Sequence, residues 1–326
     1  MHGIELTPEI PVERVAALAE RAEAAGFDAV LTSSHYNNRD PVVTLDRVAA
    51  ATDGVRLGPG VANPYDTHPV RLASQVATLD EVSDGRAILG LGAGDRSTLR
   101  NLGVDRDRPL RRVLETMRVA RRLWAGERVD HDGTFAAVDA GLNYPARRVP
   151  VYVGAQGPDM VRMAAKHADG VLYNAAHPDD VAWAADRVAE GRAARPADRA
   201  APEFVAFASV SVATDDAAAR EAARPPVAFI AAGAARPVLD RHGVDPDRAA
   251  AVGAAIEAGA FSEAFDLVTD RMLDAFCVAG TVETVAADLG RILAYADGVV
   301  VGSPLGPDRE RAITLAADAL DRAGRA

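Results

Sequence analysis

Short apolar runs alternate along the whole chain with stretches in which apolar residues recur at helical spacing. The runs predict strands at 4–6, 28–32, 55–61, 86–92, 149–153, 170–173, 204–213 and 298–302. An unbroken run such as Arg-Ala-Ile-Leu-Gly-Leu-Gly at 86–92 is the pattern of a strand covered on both faces. The 3.6-residue spacing predicts helices at 12–25, 42–51, 69–82, 108–124, 158–167, 179–194 and 308–323. Gly26 is a stop signal for the first of these, and Pro69 stands near the first turn of the third. Residues 129–142 read as an excursion that turns at Asp132-Gly133, and 215–293 as mostly helical, longer than one crossover needs. Strands alternating with helices pair in parallel, because each parallel connection requires a crossover. The predicted fold class is therefore α/β: a (β/α)8 TIM barrel with a helical insertion before the last strand. A barrel takes about 250 residues, and no composition break divides the 326. One domain over 1–326 is expected.

Composition narrows the partners. The formal net charge is -11, and no block of Lys and Arg stands clear of acidic neighbours. Neither nucleic acid nor an anionic membrane surface is an expected partner. Lys166 is the single lysine; a high-GC genome and a halophilic cytoplasm both produce such a surface. A lone Cys277 inside Ala-Phe-Cys-Val-Ala reads as a buried small hydrophobe, and it permits no intramolecular disulfide. With no apolar run of membrane length and no leader pattern, a cytoplasmic protein is expected. The seven histidines show no ligand spacing, so no metal is expected. The missing Gly-x-Ser-x-Gly elbow counts against an esterase.

In such a barrel the chemistry sits where the strands end. Those positions are Glu5, 33–39, 60–65, 92–98, 154–158 and 174–178. Ser34-His35-Tyr36-Asn37-Asn38-Arg39 is the densest polar run among them; a solvated loop and a binding loop both fit it. Glu5 is a candidate general acid if burial raises its pKa, and otherwise a capping or ion-paired carboxylate. Gly90-Leu91-Gly92-Ala93-Gly94-Asp95 and Gly154-Ala155-Gln156-Gly157-Pro158 each lead into a helix and could cradle a phosphate. The first is not a dinucleotide fingerprint, since its third glycine and the distant acidic residue are missing.

These segments bring a family into view. Gly3-Ile4-Glu5, His35 to Arg39, Leu57-Gly58-Pro59-Gly60-Val61 with Asn63-Pro64-Tyr65, Ala77-Thr78-Leu79-Asp80-Glu81, Gly92 to Asp95, 153–158 and Val227-Ala228-Phe229-Ile230 resemble the luciferase-like superfamily. Within it the chain looks most like the methylene-tetrahydromethanopterin reductases that use coenzyme F420. The resemblance implies a deazaflavin held at the strand ends, with a non-proline cis peptide at Gly60–Val61 behind its ring. It implies cofactor contacts from Ser34, His35, Gly60, Val61, Asn63, Gly92, Gly94, Gly154, Ala155, Gln156, Gly157 and Asn174. It implies hydride transfer to a methylene-tetrahydropterin, with Glu5 protonating the substrate nitrogen and Asp95 in support. A homodimer or homotetramer is also implied. One position departs: Ser34 stands where the reductases carry Asp, and a hydroxyl holds no charge near neutral pH. A tetrahydrofolate substrate, another F420-dependent dehydrogenase, an FMN-dependent monooxygenase and a barrel that only binds a ligand are the rival readings.

Overall fold

Apolar strands lie side by side in the first of two compact units, which comprises Met1–Asn174 and Ala184–Val205. The computed structural model describes residues 1–324. In chain order the strands of this unit are β1 (His2–Glu5), β2 (Ala29–Thr32), β3 (Arg56–Pro59), β4 (Leu89–Leu91), β5 (Val129–Asp132), β6 (Ala136–Ala140), β7 (Val151–Ala155) and β8 (Gly170–Asn174). β1 pairs with β2 and β2 with β3, all parallel, with Ile4 opposite Val30 and Val30 opposite Leu57. β4 pairs with β7 and β7 with β8 in the same sense. Isolated bridges, Leu57 to Ala87 and Ala62 to Leu91, join the two sets. Ile4, Val30, Leu57, Leu89 and Val153 are wholly buried, as expected of strands with both faces covered.

Helices connect these strands, and several begin with proline: Pro41–Ala51, Pro69–Val82, Pro109–Trp124 and Pro158–His167. Proline at the first helical position loses no hydrogen bond, because that N–H has no partner inside the helix. β5 and β6 form the expected excursion as an antiparallel hairpin.

The second unit is Ala175–Trp183 and the chain from Ala206 on. It holds most of β9 (Glu203–Val212), then β10 (Val278–Gly280) and β11 (Gly298–Leu305). Helices from Asp216–Gly233 to Asp270–Phe276 make up the insertion, packed on Val227, Val252 and Met272. Cys277 is buried there, and burial pushes its thiol up to about 12, so it acts as the small hydrophobe expected. The fold class is the α/β (β/α)8 barrel with a helical insertion before the last strand.

Several elements differ in extent from the sequence reading, and three of the differences are instructive. β4 is only three residues long, and its central Gly90 approaches β3 so closely that a Cβ there would fall 2.0 Å from the Pro59 carbonyl oxygen. Gly154 and Ala155 belong to β7 rather than to a loop, being opposite Leu172 and Tyr173. β10 falls within the stretch expected to be mostly helical; its three residues pair in parallel with Val210 to Val212.

Candidate active site

Parallel registers bring the ends of the first unit's strands to one side. Glu5 lies opposite Leu31, and Thr32 opposite Pro59, so Glu5, Thr32 and Gly60 share that end. Beyond Pro59 the Gly60–Val61 peptide is cis. Its Gly60 N–H donates to the Thr32 carbonyl (2.8 Å), and Ala62 N–H donates to that of Gly90 (2.9 Å).

Val61 then sits against glycines. A Cβ at Gly92 would fall 2.4 Å from Val61 Cγ2, and one at Gly154 would fall 3.2 Å from Val61 Cγ1. Gly92 and Gly154 therefore make room for the Val61 side chain. Gly94 does serve its loop, with φ of +73° and Asn63 pressed against it.

Glu5 is 4% exposed. Thr7 Oγ1 reaches both its oxygens (2.9 and 3.1 Å), and the Ser33 N–H donates to Oε1 (3.2 Å). Next to it, the hydroxyls of Thr32 and Ser33 are buried and have no hydrogen-bond partner. Buried polar atoms are nearly always paired. Two unpaired hydroxyls beside a buried carboxylate and a glycine-lined Val61 fit a flat ring with polar edges, which is the form of a deazaflavin.

Asp95 has a different environment. It is exposed and caps the helix Arg96–Asn101, its Oδ2 accepting from Thr98 N–H (2.8 Å), Thr98 Oγ1 (2.8 Å) and Ser97 Oγ (2.5 Å). Burial of part of the carboxyl pushes its pKa up, but these bonds and nearby His35 outweigh that and hold it below the ordinary value. Asp95 is thus an ionised cap. Asn63, only 4% exposed, spends its side chain on its own turn: Oδ1 accepts from the N–H of Tyr65 and Asp66, and Nδ2 donates to Asp66 Oδ2. Ser34, His35, Gln156, Gly157 and Asn174 lie on loops or strand ends at the same side, with Gly157 capping Pro158–His167. Ala155 is buried at the end of β7.

Residues 2–300 match the profile of the luciferase-like monooxygenases. The chain belongs to that family. This luciferase-like chain is 41% identical to the 5,10-methylenetetrahydromethanopterin reductase of Methanolobus tindarius, over 96% of this chain and 97% of that one. It is 40% identical to the reductase of the same name from Archaeoglobus fulgidus, over 96% of each. The structure of the coenzyme F420-dependent tetrahydromethanopterin reductase of Methanopyrus kandleri superposes with a TM-score of 0.89 at 36% identity, covering 97% of this chain and 96% of that one.

Sequence reasoning missed Thr7, Thr32 and Arg112. Thr7 carried a signal, since a threonine two residues beyond a strand-end Glu lies on the same face of an extended chain. Thr32 was assigned to strand alone. Arg112 bonds residues far away in sequence and gave none.

Proposed function

We propose that this chain is a coenzyme F420-dependent 5,10-methylenetetrahydromethanopterin reductase of one-carbon metabolism. The likeness to three archaeal reductases at 37–41% identity over 96% of this chain carries the reading. Val61, with Gly60, Gly92 and Gly154 about it, would back the ring. Ser34, His35, Asn63, Gly94, Ala155, Gln156, Gly157 and Asn174 would line its surroundings. When bound, reduced F420 supplies the hydride that the substrate's methylene carbon receives. Glu5, held by Thr7 and Ser33, delivers the proton to the substrate nitrogen as the ring opens. Asp95, ionised beside His35, acts by its charge and not as a proton donor.

On the same reading the two units make one luciferase-like domain; a family match that runs through both supports this. The enzyme would work in the cytoplasm as a homodimer or homotetramer, away from nucleic acid and membranes. The charge of -11 supports the last point, and no helix among the described residues is long and apolar enough to cross a membrane.

Oxidation of reduced F420 should proceed with methylenetetrahydromethanopterin and far more slowly with the tetrahydrofolate analogue. Tight binding of FMN without binding of F420 would return the chain to the oxygen-using branch. Glu5→Gln should lower kcat about 100-fold with F420 affinity kept. Turnover unchanged at every pH would remove Glu5 from the chemistry.

A further inference from the structure

The loop that follows the cis peptide is held from outside by one side chain. Arg112, on Pro109–Trp124, donates from Nε and Nη2 to the Pro64 carbonyl oxygen (2.8 and 2.7 Å). Its Nη1 donates to the Thr134 carbonyl at the tip of the β5–β6 hairpin. The guanidinium lies over two rings, 4.7 Å from the centre of Tyr65 and 5.8 Å from that of Phe135. Planar stacking combined with a forked donor set is what arginine does and lysine cannot.

The hairpin tip is itself anchored. Glu115, one turn along the same helix, accepts from Thr134 N–H and Oγ1 (2.7 Å each), from Arg111 Nε (2.6 Å) and from His131 Nε2 (3.2 Å). Gly133 leaves no space there; a Cβ would meet Glu115 Oε2 at 2.6 Å. A second tie runs from His68 Nε2 to the Ala136 carbonyl (3.0 Å), while Phe135 meets the His68 ring edge-on. The hairpin therefore acts as a buttress with Arg112 as its strut. The strut ends on Pro64, next to Asn63, which packs on Gly94, and three residues from Val61, which packs on Gly92 and Gly154.

We propose that Arg112 is a positioning residue that sets the Val61–Tyr65 loop, and through it the backing of the deazaflavin ring, although it touches no reacting atom. This rests on the function proposed above. Replacing residues that orient the ligands of a metal typically changes affinity or activity about 10–100-fold, which sets the order of magnitude for an outer strut. Arg112→Lys and Arg112→Met should each weaken F420 binding about tenfold, read by quenching of F420 fluorescence. Backbone amides at 62–66 should exchange faster in the ligand-free variants. Arg112→Ala should regain affinity when guanidinium ion is added, which general damage to the fold would not allow. Arg128→Lys, on the exposed pair with Asp139, should bind F420 as the wild type does. Arg112 variants that bind F420 normally while the wild type also binds it would overturn the role of Arg112 alone. So would slow amide exchange kept in Arg112→Met. A wild type that binds no F420 sinks the proposed function itself.

Discussion

The two ends of the first unit's strands are both polar, but they are polar in different ways. At the N-terminal end the charges are matched. Arg56 reaches Asp28 (3.3 Å) and the Tyr152 hydroxyl (3.2 Å), Tyr152 donates to Glu203 (2.7 Å), and the chain's amino terminus also pairs with Glu203. Arg86 donates to the carbonyls of Ala49, Val55 and Ser83 and to Thr52 Oγ1. Asp169 takes Arg121, Arg148 and the Val151 N–H. At the C-terminal end, Thr32 and Ser33 keep buried hydroxyls without partners. The unpaired atoms at the first end, Arg121 Nε and Arg195 Nε, belong to guanidinium groups that donate elsewhere, Arg121 through Nη1 and Nη2 and Arg195 through Nη1. Among the described residues, the first end leaves unpaired only single nitrogens of guanidinium groups that bond elsewhere, whereas the second leaves two whole hydroxyls without a partner.

Substitutions should separate the ends. The largest effect is expected from Gly92→Ala, whose Cβ would collide with Val61. F420 affinity should fall about 100-fold, while Gly154→Ala, with its looser 3.2 Å contact, should lose about tenfold or less. Equal losses in the two variants would mean that Val61 does not shape the site.

A second test asks whether full pairing is confined to the N-terminal end. Glu115, beside the hairpin, is held at about 2 against an ordinary 4.5. Burial pushes its pKa up, but the bonds from Thr134, Arg111 and His131 win. A folded-state pKa below the unfolded one adds stability that is complete above the unfolded pKa and is lost as pH falls toward the folded pKa. Denaturant midpoints of wild type and Glu115→Gln should therefore differ most near about pH 6, draw together as pH falls through about 4, and converge only at about pH 2 and below. A constant gap would place the contribution in packing.

The smallest effect is expected from Tyr152→Phe. Removing the hydroxyl should cost about 1 kcal/mol of stability and leave kcat and F420 affinity as they were. Loss of activity without loss of stability would erase the contrast between the ends.

Much of this was legible in the chain. The alternation of apolar runs with helical spacing located the parallel strands and the hairpin at Asp132-Gly133, because both patterns are local. The strand-end rule then led to Glu5, and the resemblance led to Gly60–Val61. The function of the glycines was not legible: a Cβ at Gly92 or Gly154 would press on Val61, which only the folded packing reveals. Asp95 carried an N-cap signal, with Ser97 and Thr98 just beyond, but it entered only as support for Glu5. The Arg112 strut joins residues 48 and 22 positions apart, and no periodicity encodes such a bond.

The crowding at Gly133 has a consequence for anyone reshaping the β5–β6 hairpin. Side chains cannot be exchanged at that tip position, since Glu115 and His131 already occupy the volume a first carbon would need. Replacement is better placed at Val138, whose side chain is 85% exposed. Libraries built at 138 should stay folded, and libraries built by point replacement at 133 should be mostly lost.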